Sequence, residues 1–214
     1  MIFLAALSVC FSAYAIGPEI KTMTRDRDEV RVFLSAINSS PQFENSFSYV
    51  SRVRQMTLCD DLMSSVSGAL MGQAVLESVA QGCIDHARRV LMSSPTMSLA
   101  HLVYAHAAFI NGNTEQAITA LQMSQATAPS EGGQATRRMR LAFKIGPEQL
   151  GAPAISDARL MVQDQIYRTY LATYFVADPE KQDWVVDAVS DVSGRDLRAF
   201  YNLIRAKSLG DSSS

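Results

Sequence analysis

Several positions in the middle of the chain recur at an interval of 34 residues. The recurring pairs are small, apolar or helix-ending residues: Pro95 and Pro129, Cys83 and Ala117, and Ile84 and Ile118. This interval is typical of a helix–turn–helix unit that repeats along a chain and stacks into a solenoid. Because one such unit cannot bury its apolar face alone, the interval favours an array of helix pairs with a binding or scaffolding role.

Helical periodicity dominates the rest of the chain. Apolar side chains recur mostly every three or four residues from Phe43 onward, and no alternating run is long enough to indicate a strand. The pattern predicts helices at Leu99–Ile110 and Thr114–Thr127, which flank a turn that contains Gly112 in the left-handed conformation. It also predicts a helix from Cys83 to Ser93, a break near Ser64–Gly68, and an all-α fold.

The best-defined unit combines small residues, a turn glycine, a large apolar residue and a closing proline. These stand at Ala105, Gly112, Ala117, Leu121, Ser124 and Pro129. Small side chains allow two helices to approach closely, and Leu121 fills the space beside them. The segment His101–Pro129 thereby resembles a tetratricopeptide repeat, although His101 and Ala108 replace large aromatic residues of that family. The resemblance, over about residues 64–146, implies antiparallel helix hairpins stacked as a short tetratricopeptide-like α-solenoid.

The expected organisation has five parts, which follow from composition, periodicity and this resemblance. They are a signal peptide or N-terminal anchor at 1–15, a linker and helix at 16–42, the repeats at 43–146, a C-terminal helical cap at 154–208 and a disordered tail at 209–214.

The first fifteen residues are uncharged and end in Ala13-Tyr14-Ala15, the small-x-small pattern that signal peptidase recognises. A helix up to Ile16 would be about 22 Å long, which is short of the roughly 30 Å hydrocarbon core of a membrane. We therefore expect cleavage after Ala15 and a periplasmic or secreted protein. No Lys or Arg precedes the apolar run, so two alternatives stay open: an uncleaved membrane anchor, which could hold the chain on the cytoplasmic side, and an ordinary buried helix.

Cleavage would leave two of the three cysteines, Cys59 and Cys83, in an oxidising compartment. The repeat register places Cys59 at the end of one helix and Cys83 at the start of another that runs parallel to it. Their sulfurs would then lie at opposite ends of helices about 20 Å long, whereas a disulfide requires Cα atoms within about 7 Å. The register predicts two buried free thiols.

Composition and motifs disfavour several classes of function. A net charge of −2 and 8% aromatic residues give little basis for nucleic-acid binding. No phosphate-binding loop, nucleophile elbow or zinc-protease motif is present in the sequence. His101 and His106 are five residues apart and do not share a helix face, and Asp60 and Asp61 are expected to be charges at a helix start. We expect no catalytic residues, metal or cofactor.

A cluster of four cations, Arg137, Arg138, Arg140 and Lys144, lies within eight residues of one predicted helix. Arg137, Arg140 and Lys144 share a face at helical spacing. They are the candidate binding residues for an acidic or carboxylate-bearing protein or peptide. The alternative is that they form only the solvated outer face of a solenoid helix.

These features together indicate an exported, non-catalytic adaptor or assembly factor that binds a cell-envelope or secreted protein. Membrane contact is expected only if the N-terminal segment is retained, and the oligomeric state is left open. The rival hypothesis is a helical-superhelix envelope enzyme, or an accessory protein in wall or polysaccharide biosynthesis or export. It would have to use Glu77 or Glu115 without a supporting motif.

Overall fold

A computed structural model describes residues 12, 14, 16–17, 19–20, 29–37, 39–65, 70 and 72–211. Within these ranges the fold is all-α, with packed helices and no strand, as expected. Most of the expected signal peptide, at residues 1–11, 13 and 15, lies outside the described residues. The α-helices are α1 Glu29–Ala36, α2 Tyr49–Ser64, α3 Gln73–Ser93, α4 Ser98–Ile110, α5 Thr114–Thr127, α6 Gly132–Ile145, α7 Ala152–Gln163, α8 Gln165–Ala177, α9 Gln182–Val189 and α10 Gly194–Asp211.

The chain divides into two compact units, Met1–Asn113 and Thr114–Ser214. The division falls inside the expected repeat segment 43–146. Residues 114–146 group with the expected cap at 154–208 instead of with 43–113. The expected five-part organisation stays a prediction.

In the first unit, α2, α3 and α4 pack against one another, and α1 lies on α3. Helices α2 and α3 are antiparallel, because the contacts between them progress in opposite directions along the chain. These contacts join Arg52 with Ser94, Gln55 with His86 and Cys59 with Cys83. The core between the helices is fully buried and includes Met56, Leu62, Val79, Leu102 and Val103.

The prediction of two free thiols is wrong, because Cys59 and Cys83 form a disulfide with their Cα atoms 5.8 Å apart. Helix α3 begins at Gln73, ten residues before Cys83, so Cys83 lies in the middle of the helix and not at its start. Since α2 and α3 are antiparallel, this position brings Cys83 level with Cys59. Both side chains are fully buried, and the bridge joins the two helices inside the core.

The segment before α2 is held by a carboxylate from the N-terminal part of the chain. Glu19 Oε1 accepts hydrogen bonds from Phe47 N and Ser48 N, each 2.7 Å long, and from Ser46 Oγ. Burial opposes ionisation of Glu19, but hydrogen bonds from Ser51, Ser48, Ser46 and Phe47 outweigh it and lower the pKa of this carboxyl. The Ser48 side chain caps α2 by accepting from Ser51 N.

In the second unit, α6 packs against α5, α7 and α8, and α8 packs against α7 and α10. Arg168 of α8 connects three of these elements. Its Nε donates to the carbonyl oxygen of Val162 at 2.6 Å, and its Nη2 donates to Asp196 at 3.1 Å. The buried side chains between these helices include Met139, Met161, Leu171 and Phe200.

Several predicted boundaries are confirmed, and others need correction. Helix α5 matches its prediction, α4 begins one residue early, and Gly112 has the expected positive φ of 78°. The prediction for Asp60 and Asp61 is wrong, because they lie near the end of α2 and not at a helix start. Helix α10 continues to Asp211, so residues 209–211 of the expected disordered tail are helical, and residues 212–214 lie outside the described residues.

Candidate functional site

The predicted basic residues lie on one continuous helix, α6. At about 100° per residue, Arg137, Arg140 and Lys144 fall within about 60° of one another around the helix axis. Lys144 is exposed, and Arg137 and Arg140 are partly exposed. The opposite side of the helix is buried through Ala135, Met139 and Ala142. The three cations therefore share the outward side of α6.

Arg138 belongs to the core and not to the basic face. It is 1% exposed, and its Nε and Nη2 donate to the two carboxylate oxygens of Asp157 on α7, each at 2.7 Å. Its guanidinium also donates to the carbonyl oxygens of Ser124 and Ala128 at the end of α5. Burial raises the pKa of Asp157, and the bonds from Arg138 offset part of this effect. Arg138 thus ties α5, α6 and α7 together and fixes the rotation of α6.

The basic face has the chemistry of an oxyanion-binding surface. Arginine forks pair with carboxylates through two parallel hydrogen bonds, and a nearby lysine adds a mobile point charge. Arg137, Arg140 and Lys144 each also interact with other residues of the chain, so these side chains are partly held in place. A carboxylate-bearing segment would meet three positive charges along about two turns of helix.

The three histidines have structural contacts. His106 Nδ1 lies 3.1 Å from Asp60 Oδ1 of α2, and both residues are buried. His86 Nε2 lies 3.0 Å from Gln55 Oε1, while His101 Nε2 contacts the carbonyl oxygen of Pro95. Across the described part of the chain, no group of three potential metal ligands forms. Sequence reasoning missed the Asp60–His106 pair because a spacing of 46 residues carries no local signal.

The carboxylates of the rival enzyme hypothesis lie on the surface. Glu77 is exposed on α3 and accepts a hydrogen bond from Gln73, and Glu115 is exposed in the first turn of α5. Neither side chain lines the cavity of 330 Å³ between α2 and α3 or the cavity of 540 Å³ beside α7. The cavity beside α7 holds Arg159, which is already paired with Asp191.

Comparisons with known proteins found no matching family model, no matching curated protein and no matching solved structure. Within the ranges that the structure describes, no helix has the length and apolar character needed to cross a membrane.

Proposed function

We propose that this protein is an exported, non-catalytic adaptor or assembly factor with a tetratricopeptide-like arrangement of helix hairpins. Its partner is a cell-envelope or secreted protein that presents an acidic segment. The site is the basic face of α6, formed by Arg137, Arg140 and Lys144.

The observation that carries this proposal is the position of the three cations relative to the buried side of α6. Arg138 is locked to Asp157 in the core, so the helix cannot rotate without breaking two 2.7 Å hydrogen bonds. Removal of one partner from a buried ion pair typically costs about 3–5 kcal/mol, which shows how strongly such a pair holds its helices in place. The basic face is therefore presented to solvent in one orientation, which favours recognition of a partner over a mobile charged surface.

The helix packing and the disulfide support the other parts of the proposal. Helices α2 and α3 form an antiparallel pair, and Ala105, Ala117, Leu121 and Ser124 of the resemblance are fully buried in their units. The Cys59–Cys83 bridge favours export, because disulfides persist in oxidising compartments. Intact-mass measurement of the protein from its native host tests the export step, with a chain beginning at Ile16 as the expected product.

The binding proposal is tested with a fluorescent oligoglutamate peptide as the acidic probe, by anisotropy at low and at physiological salt. Replacing Arg137→Ala together with Arg140→Ala should weaken binding at least tenfold and reduce its salt dependence. Helix content should change little, and the loss of stability should not exceed what surface ion pairs contribute, about 0–1 kcal/mol per pair.

The matched control removes two exposed arginines from another helix of the same unit, Arg198→Ala with Arg205→Ala on α10. It changes the net charge equally and should retain most of the affinity. Equal losses in the two variants would show that the peptide responds to net charge alone. The basic face of α6 would then be an ordinary solvated surface.

A further inference from the structure

A second candidate site lies in the first unit, in the 330 Å³ cavity between α2, α3 and the segment that precedes α2. This volume is at the lower end of the roughly 300–1,000 Å³ of small-molecule sites, so it suits a ligand of monosaccharide size. The lining includes Arg52 of α2, His86 and Arg89 of α3, and the hydroxyl-bearing residues Ser46 and Ser93.

Both arginines are oriented by hydrogen bonds to uncharged groups of the protein. Arg52 donates from Nε to the Ser46 carbonyl oxygen at 2.9 Å and from Nη1 to Ser94 Oγ at 2.8 Å. Arg89 donates from Nε to Asn45 Oδ1 and from Nη2 to the Phe43 carbonyl oxygen. Among the described residues, neither guanidinium forms an ion pair, and Nη2 of Arg52 and Nη1 of Arg89 have no acceptor. The cavity lined by Arg52, His86 and Arg89, called the anion cavity below, therefore has two fixed guanidinium charges that form no ion pair among the described residues.

His86 lines the same cavity, and its imidazole has one buried acceptor without a partner. The residue is 1% exposed, and its Nδ1 is buried without a hydrogen-bond partner. Gln55 donates its amide to the Glu44 carbonyl, so Gln55 Oε1 is the acceptor for His86 and the imidazole hydrogen lies on Nε2. Burial and the charges of Arg89 and Arg52 lower the pKa of His86 to about 3, so the ring is neutral and Nδ1 carries a lone pair. Buried unpaired acceptors are uncommon in folded proteins.

The lining thus requires two complementary groups in one small molecule. The arginines select an oxyanion, because a guanidinium fork matches a carboxylate or phosphate. Nδ1 of His86 selects a hydrogen-bond donor, which an ionised carboxylate cannot supply by itself. We propose that the cavity between Arg52, His86 and Arg89 binds a small hydroxylated carboxylate of sugar-acid size. A hydroxyl group of the ligand donates to His86, and its carboxylate pairs with the arginines. This site is independent of the basic face of α6.

Calorimetry with four probes tests the two requirements separately on the unmodified protein. D-glucuronate has the carboxylate and the hydroxyl groups, cyclohexanecarboxylate lacks the hydroxyl groups, glucose lacks the charge, and glucose 6-phosphate replaces the carboxylate with a phosphate. Glucuronate should bind at least tenfold more tightly than cyclohexanecarboxylate and at least tenfold more tightly than glucose. Equal binding of cyclohexanecarboxylate would overturn the role of His86, and equal binding of glucose would overturn the role of the arginines. Tighter binding of glucose 6-phosphate would overturn the assignment of a carboxylate.

Variants and a spectroscopic signal locate the site. Arg52→Gln and Arg89→Gln should each weaken glucuronate binding at least tenfold. Arg88→Gln, the control on the neighbouring position outside the cavity, should leave it unchanged. Nuclear magnetic resonance of ¹⁵N-histidine in the unmodified protein should show the Nδ1 resonance of His86 moving on titration with glucuronate. A stationary His86 resonance under saturating glucuronate would overturn the proposal even if the arginine variants fail to fold.

Discussion

At the scale of single residues, the disulfide shows how a wrong helix boundary at Cys83 leads to a wrong prediction for both cysteines. The 34-residue interval pairs Cys83 with Ala117, and this pairing led to a helix start at Cys83 and a parallel neighbour for it. The structure extends α3 back to Gln73, and the two sulfurs meet in the core. The sequence gives no local sign that α3 begins at Gln73, because this helix start has no side-chain cap and is preceded by Gly72.

The disulfide makes a direct contribution to stability that can be measured. Its sequence separation is 24, and the loop-closure relation gives roughly 3.5 kcal/mol for a bridge of this span. We expect the double variant Cys59→Ala with Cys83→Ala to lose about that much free energy of unfolding in a urea titration. Under non-reducing conditions, thiol labelling of the unfolded wild type followed by peptide mapping should leave both cysteines unlabelled. Labelling of both would contradict the bridge.

His86 should make stability depend on pH, and the sign follows from its buried, neutral ring. Its pKa is about 3 in the folded chain and near 6.5 when exposed, so the unfolded state binds more protons between these values. The free energy of unfolding therefore falls as pH drops through this window, by up to about 1.4 kcal/mol per pH unit.

The check compares wild type with His86→Gln by urea unfolding from pH 7.5 to 4.5. The stability advantage of wild type over the variant should shrink by roughly 2–3 kcal/mol over that range. A constant difference would mean that His86 is accessible to protons in the folded state.

At the scale of elements, glycine determines where the segment before α2 can lie. Gly82 is buried in the middle of α3, and a Cβ there would collide with the carbonyl oxygen of Pro41. This close approach places Phe43 over His86, with ring centroids 5.0 Å apart. The absence of a side chain at Gly82 thus allows the segment before α2 to pack closely on α3, beside His86.

In the variant Gly82→Ala, the collision with the Pro41 backbone opposes the gain from the higher helix preference of alanine. We expect it to destabilise the protein by about 1–3 kcal/mol, because the backbone at Pro41 must move. Gly133→Ala, on α6, is the control, since a Cβ there meets nothing within 4 Å. The control should be neutral or stabilising by up to about 1 kcal/mol. Thermal melting measures both, and equal effects would contradict the packing around Gly82.

Periodicity predicted the elements well where capping and turn residues agree with it. Helices α4 and α5 are bounded by a turn glycine and prolines, and their predicted limits are correct within one residue. Periodicity cannot predict polar contacts between residues that are far apart in the sequence. Asp60 with His106 and Arg138 with Asp157 join helices whose pairing a helical period does not specify. For the same reason the spacing does not show that Arg138, one of the four clustered cations, belongs to the core.

At the scale of the whole molecule, the chain has two compact units, each with its own buried core. The predicted basic face belongs to the second unit, and the anion cavity belongs to the first. The shared outward side of Arg137, Arg140 and Lys144 could be predicted from spacing, because one helix carries all three. The cavity could not, because its arginines and His86 come from two helices whose pairing a helical period does not specify.

The basic face of α6 is tested most directly by mapping where an acidic peptide binds on the intact chain. In a titration of ¹⁵N-labelled protein with oligoglutamate, the backbone resonances that shift most should be those of α6 around Arg137, Arg140 and Lys144. Resonances around Arg198 and Arg205 on α10 should stay in place. A footprint confined to the first unit, or one spread evenly over all exposed cations, would contradict the proposed site.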